Sequence, residues 1–131
     1  MYIVDTNIFL ELLLEQEKAK EVTRFFQKIE TNELYISDFT IYSIGIILLR
    51  FDKPKIFNQW VEDIINSGIK LVRLESIELI ALTELATKFN LDFDDAYQYQ
   101  IAEKYDLQIL SYDKDFNKTD RGRKEPGNVY R

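Results

Sequence analysis

The sequence contains neither cysteine nor histidine among its 131 residues. Without cysteine the chain forms no disulfides and no thiolate zinc sites, and without histidine it has no imidazole base and no serine–histidine triad. Any chemistry must therefore use carboxylates, hydroxyls, lysines or arginines. The lack of cysteine also fits a reducing cytoplasm, which is where we expect the protein to act.

Long hydrophobic runs and a leader-like N-terminus are missing as well. The longest apolar run, Ile44 to Leu49, is far shorter than the roughly 20 residues that a membrane-spanning helix needs. Residues 1–5 lead directly into a β-type run, without the charged and apolar regions of a signal peptide. We therefore expect no signal peptide and no contact with membranes.

A broad surplus of positive charge is absent too, since the formal net charge is -6. This counts against a protein that grips nucleic acid through a large basic face. The C-terminal tail, residues 114–131, is locally basic, and within it Arg121, Arg123 and Lys124 are the predicted phosphate contacts. An acidic surplus is also typical of several carboxylates gathered in one place, where a divalent cation would offset them.

Short β-type runs alternate with segments of helical period, which predicts an α/β fold with a mostly parallel sheet. A chain with 46% hydrophobic residues suits a single domain over residues 1–131. The predicted strands are 2–4, 34–36, 69–74 and 107–111, and the predicted helices are 8–14, 18–30, 38–51, 54–67, 76–89 and 92–105. In the tail, Pro126 and Gly127 disfavour a further helix.

The third predicted helix is apolar around nearly its whole circumference. A helix without a polar face must be covered on several sides. It is therefore expected to lie centrally in the domain or to form part of an oligomer contact.

Aspartates follow two of the predicted strands and begin one predicted helix. Asp5 closes the first strand, while Asp113 and Asp115 follow the fourth. Ligands of parallel α/β sheets bind beyond the carboxyl ends of strands, so these three share one edge if both strands lie near the sheet centre. Asp92 is a natural N-cap, which places Asp95 in the first turn of its helix, at the positive end of the helix dipole. The sequence therefore allows one cluster of four carboxylates.

Such a cluster cannot remain fully ionised without a cation, because like charges at close range raise each other's pKa. Hard oxygen ligands that retain water select Mg²⁺ or Mn²⁺ over zinc. Two such ions about 4 Å apart can activate water and stabilise the leaving oxygen of a phosphodiester without a histidine base. Each aspartate also has a structural interpretation, with Asp5 and Asp92 as helix caps and Asp113 and Asp115 as turn residues.

Three sequence motifs carry a resemblance to a known family. Residues 3–7 resemble the opening motif of PIN-domain nucleases, residues 91–102 resemble their second signature, and residues 111–116 resemble the third. The three motifs occur in the family's order and span nearly the whole chain. The resemblance implies a three-layer αβα sandwich with a central sheet of four to five strands.

The resemblance also implies a function. It implies a Mg²⁺- or Mn²⁺-dependent endoribonuclease, often the VapC-like toxin of a toxin–antitoxin pair, whose partners are RNA, an antitoxin protein and a second copy of the chain. The third helix is the expected surface for the dimer or for an antitoxin peptide. The residues implied for the site are the catalytic and metal-binding Asp5, Asp95, Asp113 and Asp115, with Thr6, Asn7, Ser43 and Ser111 in support.

One position departs from the family pattern. Ser43 stands early in the third helix, where most active PIN domains carry an acidic residue. A hydroxyl brings no charge, so metal occupancy and rate are expected to fall. Asp38 is the nearest carboxylate, but its place at the helix start is typical of a cap. The alternative function is therefore a PIN-fold module that binds RNA or protein without cutting. A phospho-acceptor regulatory domain is disfavoured, because the third strand ends without an aspartate.

Overall fold

A computed structural model describes residues 1–129, in which four parallel strands and seven helices form an α/β fold. The strands are β1 (Tyr2–Val4), β2 (Leu34–Ser37), β3 (Lys70–Val72) and β4 (Gln108–Leu110). The helices are α1 (Thr6–Leu13), α2 (Ala19–Lys28), α3 (Asp38–Arg50), α4 (Pro54–Ser67), α5 (Glu78–Phe89), α6 (Phe93–Tyr105) and α7 (Pro126–Val129). Two 3₁₀ turns lie at Thr31–Glu33 and Lys114–Lys118. The predicted fold class and parallel sheet are confirmed.

The order of the strands places β1 between β2 and β4. The sheet runs β3-β2-β1-β4, with Ile3 of β1 opposite Tyr35 of β2 and Ile109 of β4. The chain therefore proceeds from β1 to one side through β2 and β3, and then returns to the other side as β4. Such a reversal opens a crevice beyond the carboxyl ends of the two strands concerned, which here are β1 and β4.

Each face of the sheet carries its own hydrophobic core. Ile3 and Ile109 belong to the core that α5 and α6 cover, whereas Val4 and Leu110 belong to the core beneath α1, α2, α3 and α4. Consecutive strand residues point to opposite faces, so these short strands are apolar on both sides. The predicted arrangement of helices on both faces of a parallel sheet is confirmed.

The ends of several helices follow local signals in the sequence. Pro54 occupies the first turn of α4, where its missing N–H would have no partner in any case. Gly68 ends α4 with a φ of 89°, a left-handed conformation that glycine adopts without strain. Asn90 and Asp106 end α5 and α6 in the same conformation. The structure confirms the ends that were predicted at Gly68 and Asn90.

Three local predictions need correction. The tail does form a further helix, because Pro126 begins the single turn of α7 and its fixed φ suits a first helical position. Strand β3 covers only Lys70–Val72 and is shorter than the predicted 69–74. Asp92 occupies the N-cap position of α6, but its side chain makes no capping hydrogen bond.

Helix α3 is only partly covered. Ile44 and Leu48 are fully buried, whereas Tyr42, Ile46 and Leu49 are exposed by 66%, 55% and 59%. The apolar circumference therefore leaves one face of α3 open to solvent, and its predicted use in an oligomer contact stays a prediction. Within residues 1–129, no helix combines the length and the apolar character needed to cross a membrane.

Candidate active site at the carboxyl edge of the sheet

A cavity of about 310 Å³ opens at the edge of the sheet where β1 and β4 end. We call it the acidic cavity, because four aspartates lie on its wall. Its polar lining comes from the start of α1, from α3, from the first turns of α6 and from the segment after β4. These side chains are Asp5, Thr6, Asn7, Ser43, Asp94, Asp95, Gln98 and Asp113. The sheet edge thus brings together three of the four aspartates that the sequence singled out.

A set of carboxylates able to hold a metal ion lies at this cavity. Asp95, Asp113 and Asp115 each offer a carboxylate oxygen, and these oxygens lie within 4.8 Å of one another. Asp95 is buried, Asp113 is half-buried and Asp115 is exposed, with Lys118 at 3.9 Å. Asp5 lines the cavity but does not belong to this set. Its role as a direct metal ligand stays a prediction.

The carboxylate of Asp5 accepts four hydrogen bonds. Its Oδ1 accepts from the backbone N–H of Thr6 (2.8 Å) and from Nε2 of Gln98 (3.1 Å). Its Oδ2 accepts from Oγ of Ser111 (2.6 Å) and from Nδ2 of Asn7 (3.3 Å). A carboxylate has about four lone-pair sites, so this network uses its full capacity. Asp5 caps α1 and is held by three segments of the chain, and direct ligation of a metal would displace one of the donors.

Ser111 and Asn7 join the end of β4 to the end of β1. Ser111 is completely buried, and its Oγ accepts from Nδ2 of Asn7 (3.1 Å) and from the backbone N–H of Asp113 (2.9 Å). Oδ1 of Asn7 accepts from the backbone N–H of Tyr112 (3.1 Å). Through these bonds the two predicted supporting residues set the position of Asp113 relative to Asp5.

Three polar residues of the site were not predicted, namely Asp94, Gln98 and Thr40. Gln98 is 2% exposed, and its Nε2 donates to Asp5 and to Oγ1 of Thr40 (2.6 Å). Oγ1 of Thr6 lies 3.0 Å from Oγ1 of Thr40. Gln98 follows Asp95 by three residues, which places both on one face of α6. Its Oε1 is buried without a hydrogen-bond partner among the described residues.

Burial and mutual repulsion change the titration of the acidic cavity. The pKa of Asp95 rises to about 8, first because the group is buried and then because it shares a hydrogen bond with Asp113 and faces the charges of Asp113, Asp5 and Asp94. Burial also raises the pKa of Asp5, although its hydrogen bonds from Ser111, Gln98 and Thr6 act in the opposite direction. Asp95 therefore keeps a proton near neutral pH, within the carboxyl pair that it forms with Asp113.

This arrangement fits a hard divalent cation. A cation bound between Asp95 and Asp113 would take the place of the shared proton and offset two charges that repel each other. The donor set consists of oxygen atoms alone, which suits Mg²⁺ or Mn²⁺ better than zinc.

Ser43 and Asp38 have different surroundings. Ser43 lies on the wall of the acidic cavity, so the position where an acidic residue was expected does face the site. Asp38 is the first residue of α3 and follows the N-cap Ser37 in the sequence. Its carboxylate accepts a hydrogen bond from the hydroxyl of Tyr97 at 2.8 Å. Asp38 is therefore engaged with Tyr97 and does not line the cavity.

The structure also shows the surroundings of the three basic tail residues, Arg121, Arg123 and Lys124. Arg121 lies 3.2 Å from carboxylate oxygens of both Glu103 and Asp106. Arg123 is 11% exposed and donates to the backbone carbonyl at the end of β4 (3.1 Å), while Lys124 is exposed. The two arginines thus have partners within the protein. A role for the three residues in phosphate contacts stays a prediction.

Comparison with known proteins gives a family and several related folds. The family model of the PIN domain matches residues 2–122. No curated protein matches the chain. Because the solved structures below share less than a quarter of their residues with this chain, they show its fold alone.

VapC20 from Mycobacterium tuberculosis, described as a toxin that cleaves the sarcin–ricin loop, is 14% identical, with a TM-score of 0.82 over 96% of this chain and 100% of its own. A toxin–antitoxin complex from Klebsiella pneumoniae is 14% identical, with a TM-score of 0.73 over 96% of this chain and 98% of its own. FitAcB from Neisseria gonorrhoeae is 18% identical, with a TM-score of 0.72 over 96% of this chain and 98% of its own.

Proposed function

Because the chain belongs to the PIN domain family, we propose that it is a divalent-metal-dependent endoribonuclease that hydrolyses phosphodiester bonds of RNA. The observation that carries the proposal is the convergence of Asp95, Asp113 and Asp115 beside the buried Asp5 at the carboxyl edge of the sheet. Asp95 and Asp113 come from distant parts of the chain, and among residues 1–129 neither takes part in an ion pair, so their pairing suits a metal site better than a structural ion pair.

The ion would be held by Asp95 and Asp113, with Asp115 at the solvent side. When bound, Mg²⁺ or Mn²⁺ would supply a Lewis acid that lowers the pKa of the attacking water and offsets charge on the phosphate. The protein itself holds the ligands in place, since Ser111 fixes the backbone of Asp113 and α6 presents Asp95 from its first turn.

Asp5 acts within this site as a carboxyl group of fixed orientation. Its four hydrogen bonds keep the carboxylate oriented toward the cavity, and Thr6, Asn7 and Gln98 supply three of them. In the metal-free protein Asp95 retains a proton near neutral pH, and it would have to lose this proton to hold a cation. Metal binding is therefore coupled to pH, and the site favours the cation at neutral or higher pH.

We further propose that the protein is the toxin of a toxin–antitoxin pair and forms a homodimer. Related folds in solved toxin–antitoxin complexes support the first part. The exposed apolar face of α3, formed by Tyr42, Ile46 and Leu49, supports a protein contact, because isolated exposed apolar residues are common but a row at helical spacing is not.

Ser43 supports a second candidate function, a PIN domain that binds RNA or a protein partner with little or no cleavage. Its hydroxyl lies on the wall of the acidic cavity, where a carboxylate would add negative charge for a cation. Tight binding of RNA or a partner by the purified protein, with no turnover in any divalent ion, would favour this candidate.

Cleavage assays with purified protein test the proposed nuclease. Labelled single-stranded and structured RNAs are incubated with Mn²⁺, with Mg²⁺ and with EDTA. We expect cleavage with metal, none with EDTA, and none with Asp113→Asn. Asp52→Asn serves as the matched control, because Asp52 is exposed and its left-handed conformation (φ 56°) suits asparagine. Cleavage that persists in EDTA or in Asp113→Asn would overturn the proposal.

A further inference from the structure

Helix α2 carries a row of cations on one face. Lys20, Arg24 and Lys28 follow one another at intervals of four residues, so they lie along the same side of the helix, about 6 Å apart along its axis. All three are exposed, whereas Val22 and Phe25 are buried in the core. The polar side of this amphipathic helix is therefore predominantly positive.

A second cavity, of about 470 Å³, lies along this row, between α2 and α7. Lys18, Lys20, Arg24 and Lys28 line it together with Glu17, Glu21, Pro126 and Gly127. We call it the basic cavity, since its lining has a surplus of two positive charges on a chain whose net charge is -6. The rest of the chain therefore carries a net charge of -8, from -6 minus 2.

The cations of the basic cavity are available for a ligand. In residues 1–129, none of Lys18, Lys20, Arg24 and Lys28 takes part in an ion pair. Arg121 differs, because Glu103 and Asp106 already neutralise it. Unpaired and solvated cations cost little to bring onto phosphate groups, whereas a paired arginine would first have to leave its partners.

The basic cavity is connected to the acidic cavity through the chain segments that follow β4. Lys124 pairs in parallel with Leu110 of β4, so the chain that follows, including α7, emerges beyond the carboxyl end of β4. Tyr112 connects the two cavities, since its backbone N–H donates to Asn7 and its hydroxyl donates to Glu21. A single residue thus contacts the lining of both cavities.

We propose that the cationic face of α2, formed by Lys20, Arg24 and Lys28, binds the phosphate backbone of single-stranded RNA beside the acidic cavity. The inference rests on the proposed function and extends it, by assigning a substrate-binding surface outside the metal site. A row of cations along about 12 Å of helix suits a polyanion, because a lone phosphate needs only one or two of them. Such a contact depends on the charge of the phosphates and does not depend on the RNA sequence.

Binding is measured by fluorescence anisotropy with a labelled 20-nucleotide single-stranded RNA of mixed sequence, in EDTA, so that cleavage does not interfere. The variant Lys20→Gln/Arg24→Gln/Lys28→Gln is compared with Arg50→Gln/Lys53→Gln/Lys55→Gln. The control removes one arginine and two lysines at exposed positions that line neither cavity, so both variants have the same net charge. Circular dichroism and thermal unfolding verify that both variants fold.

The α2 variant is expected to bind RNA about 10- to 100-fold more weakly at 0.1 M salt, while the control changes less than about threefold. The slope of log K against log salt concentration should become shallower by about 2 in the α2 variant, since each phosphate contact on a single strand contributes about 0.7. No RNA binding by the wild-type protein, wild-type affinity in the α2 variant, or an equal loss in the control would each overturn the inference.

Competition distinguishes other occupants of the basic cavity. AMP at a phosphate concentration equal to that of the RNA should displace little RNA, and a polyglutamate peptide should displace little as well. Displacement by AMP would assign the cavity to a lone phosphate, and displacement by the peptide would assign it to an acidic protein segment, so either result overturns the inference. Because these measurements use EDTA, they stand apart from the nuclease test: α2-dependent RNA binding without cleavage refutes only the proposed function.

Discussion

Replacing Asp95 by asparagine is expected to stabilise the metal-free protein near neutral pH and to abolish its response to Mn²⁺. Asp95 is 6% exposed and adjoins Asp113, and its pKa is raised to about 8. In the unfolded chain an aspartate has a pKa of about 3.9. Between these two values the native state holds a proton that the unfolded state has lost, so the free energy of unfolding falls as the pH rises through this range.

The change in the free energy of unfolding can be worked out from the one proton that Asp95 holds in the native state. A single extra proton in the native state changes the free energy of unfolding by about 1.4 kcal/mol per pH unit. From pH 5 to pH 7 the metal-free wild-type protein therefore loses about 2.7 kcal/mol through Asp95, or roughly 10 °C in Tm for a chain of this length. Asp95→Asn lacks this loss, because an amide does not titrate.

Urea and thermal unfolding in EDTA at pH 5, 6 and 7 measure the effect. Asp94→Asn is the matched control, since it makes the same substitution at the neighbouring, exposed position on the wall of the acidic cavity. The stability of Asp95→Asn relative to wild type should rise by about 2.7 kcal/mol between pH 5 and pH 7, whereas Asp94→Asn should follow the wild type.

The same proteins are then unfolded with Mn²⁺ present. Mn²⁺ should raise the Tm of the wild-type protein more at pH 7.5 than at pH 5.5, because binding displaces the proton of Asp95. It should leave the Tm of Asp95→Asn unchanged. A pH-independent difference between Asp95→Asn and wild type, or equal stabilisation of both by Mn²⁺, would refute the reasoning.

Three further predictions concern other positions. Ser43→Glu should bind Mn²⁺ more tightly in calorimetry and cleave RNA faster, because it adds a charge to the cavity wall; equal gains in Ser43→Gln would contradict this. Gln98→Leu removes a donor from Asp5 and Thr40, so it should lower the free energy of unfolding by about 1–3 kcal/mol and weaken Mn²⁺ binding; unchanged Mn²⁺ affinity would show that the Gln98 contact does not serve the site. Phe116→Ala should cost about 3–5 kcal/mol in urea unfolding, since Phe116 is completely buried below the Asp113–Asp115 turn; a loss below 1 kcal/mol would contradict its place in the core.

The position of the aspartates at the carboxyl edge of the sheet could be predicted, because it depends on residues next to each strand in the sequence. Asp5 follows β1 directly and Asp113 follows β4 after two residues, and parallel strands place such residues at one edge. Asp95 was predictable from its place in the first turn of α6. The convergence of these aspartates on one cavity follows from the strand order, which puts β1 next to β4.

The role of Gln98 could not be deduced from local sequence, because its partners Asp5 and Thr40 lie 93 and 58 positions away. A glutamine inside a helix carries no signal of burial, and its helical propensity is that of an ordinary surface residue. The packing of α6 against β1 and β4 makes it a buried donor.

The partners of the basic residues could not be deduced from local sequence either. A run of charge near the C-terminus predicts phosphate contacts, but it does not reveal that Glu103 and Asp106 pair with Arg121. The row on α2 was present in the sequence at four-residue intervals, yet its significance depends on α7 and Tyr112, which place it beside the site. Such neighbours belong to the tertiary structure, so charge patterns alone did not identify them.

Anomalous scattering from crystals grown with Mn²⁺ shows whether Asp95 and Asp113 share a hard cation. We expect a manganese peak at the carboxyl edge of the sheet, with carboxylate oxygens of both residues at about 2.1 Å. The peak should vanish in crystals of Asp95→Asn grown under the same conditions. A well-ordered acidic cavity without a peak at saturating Mn²⁺, or a peak bound by other residues, would contradict the account.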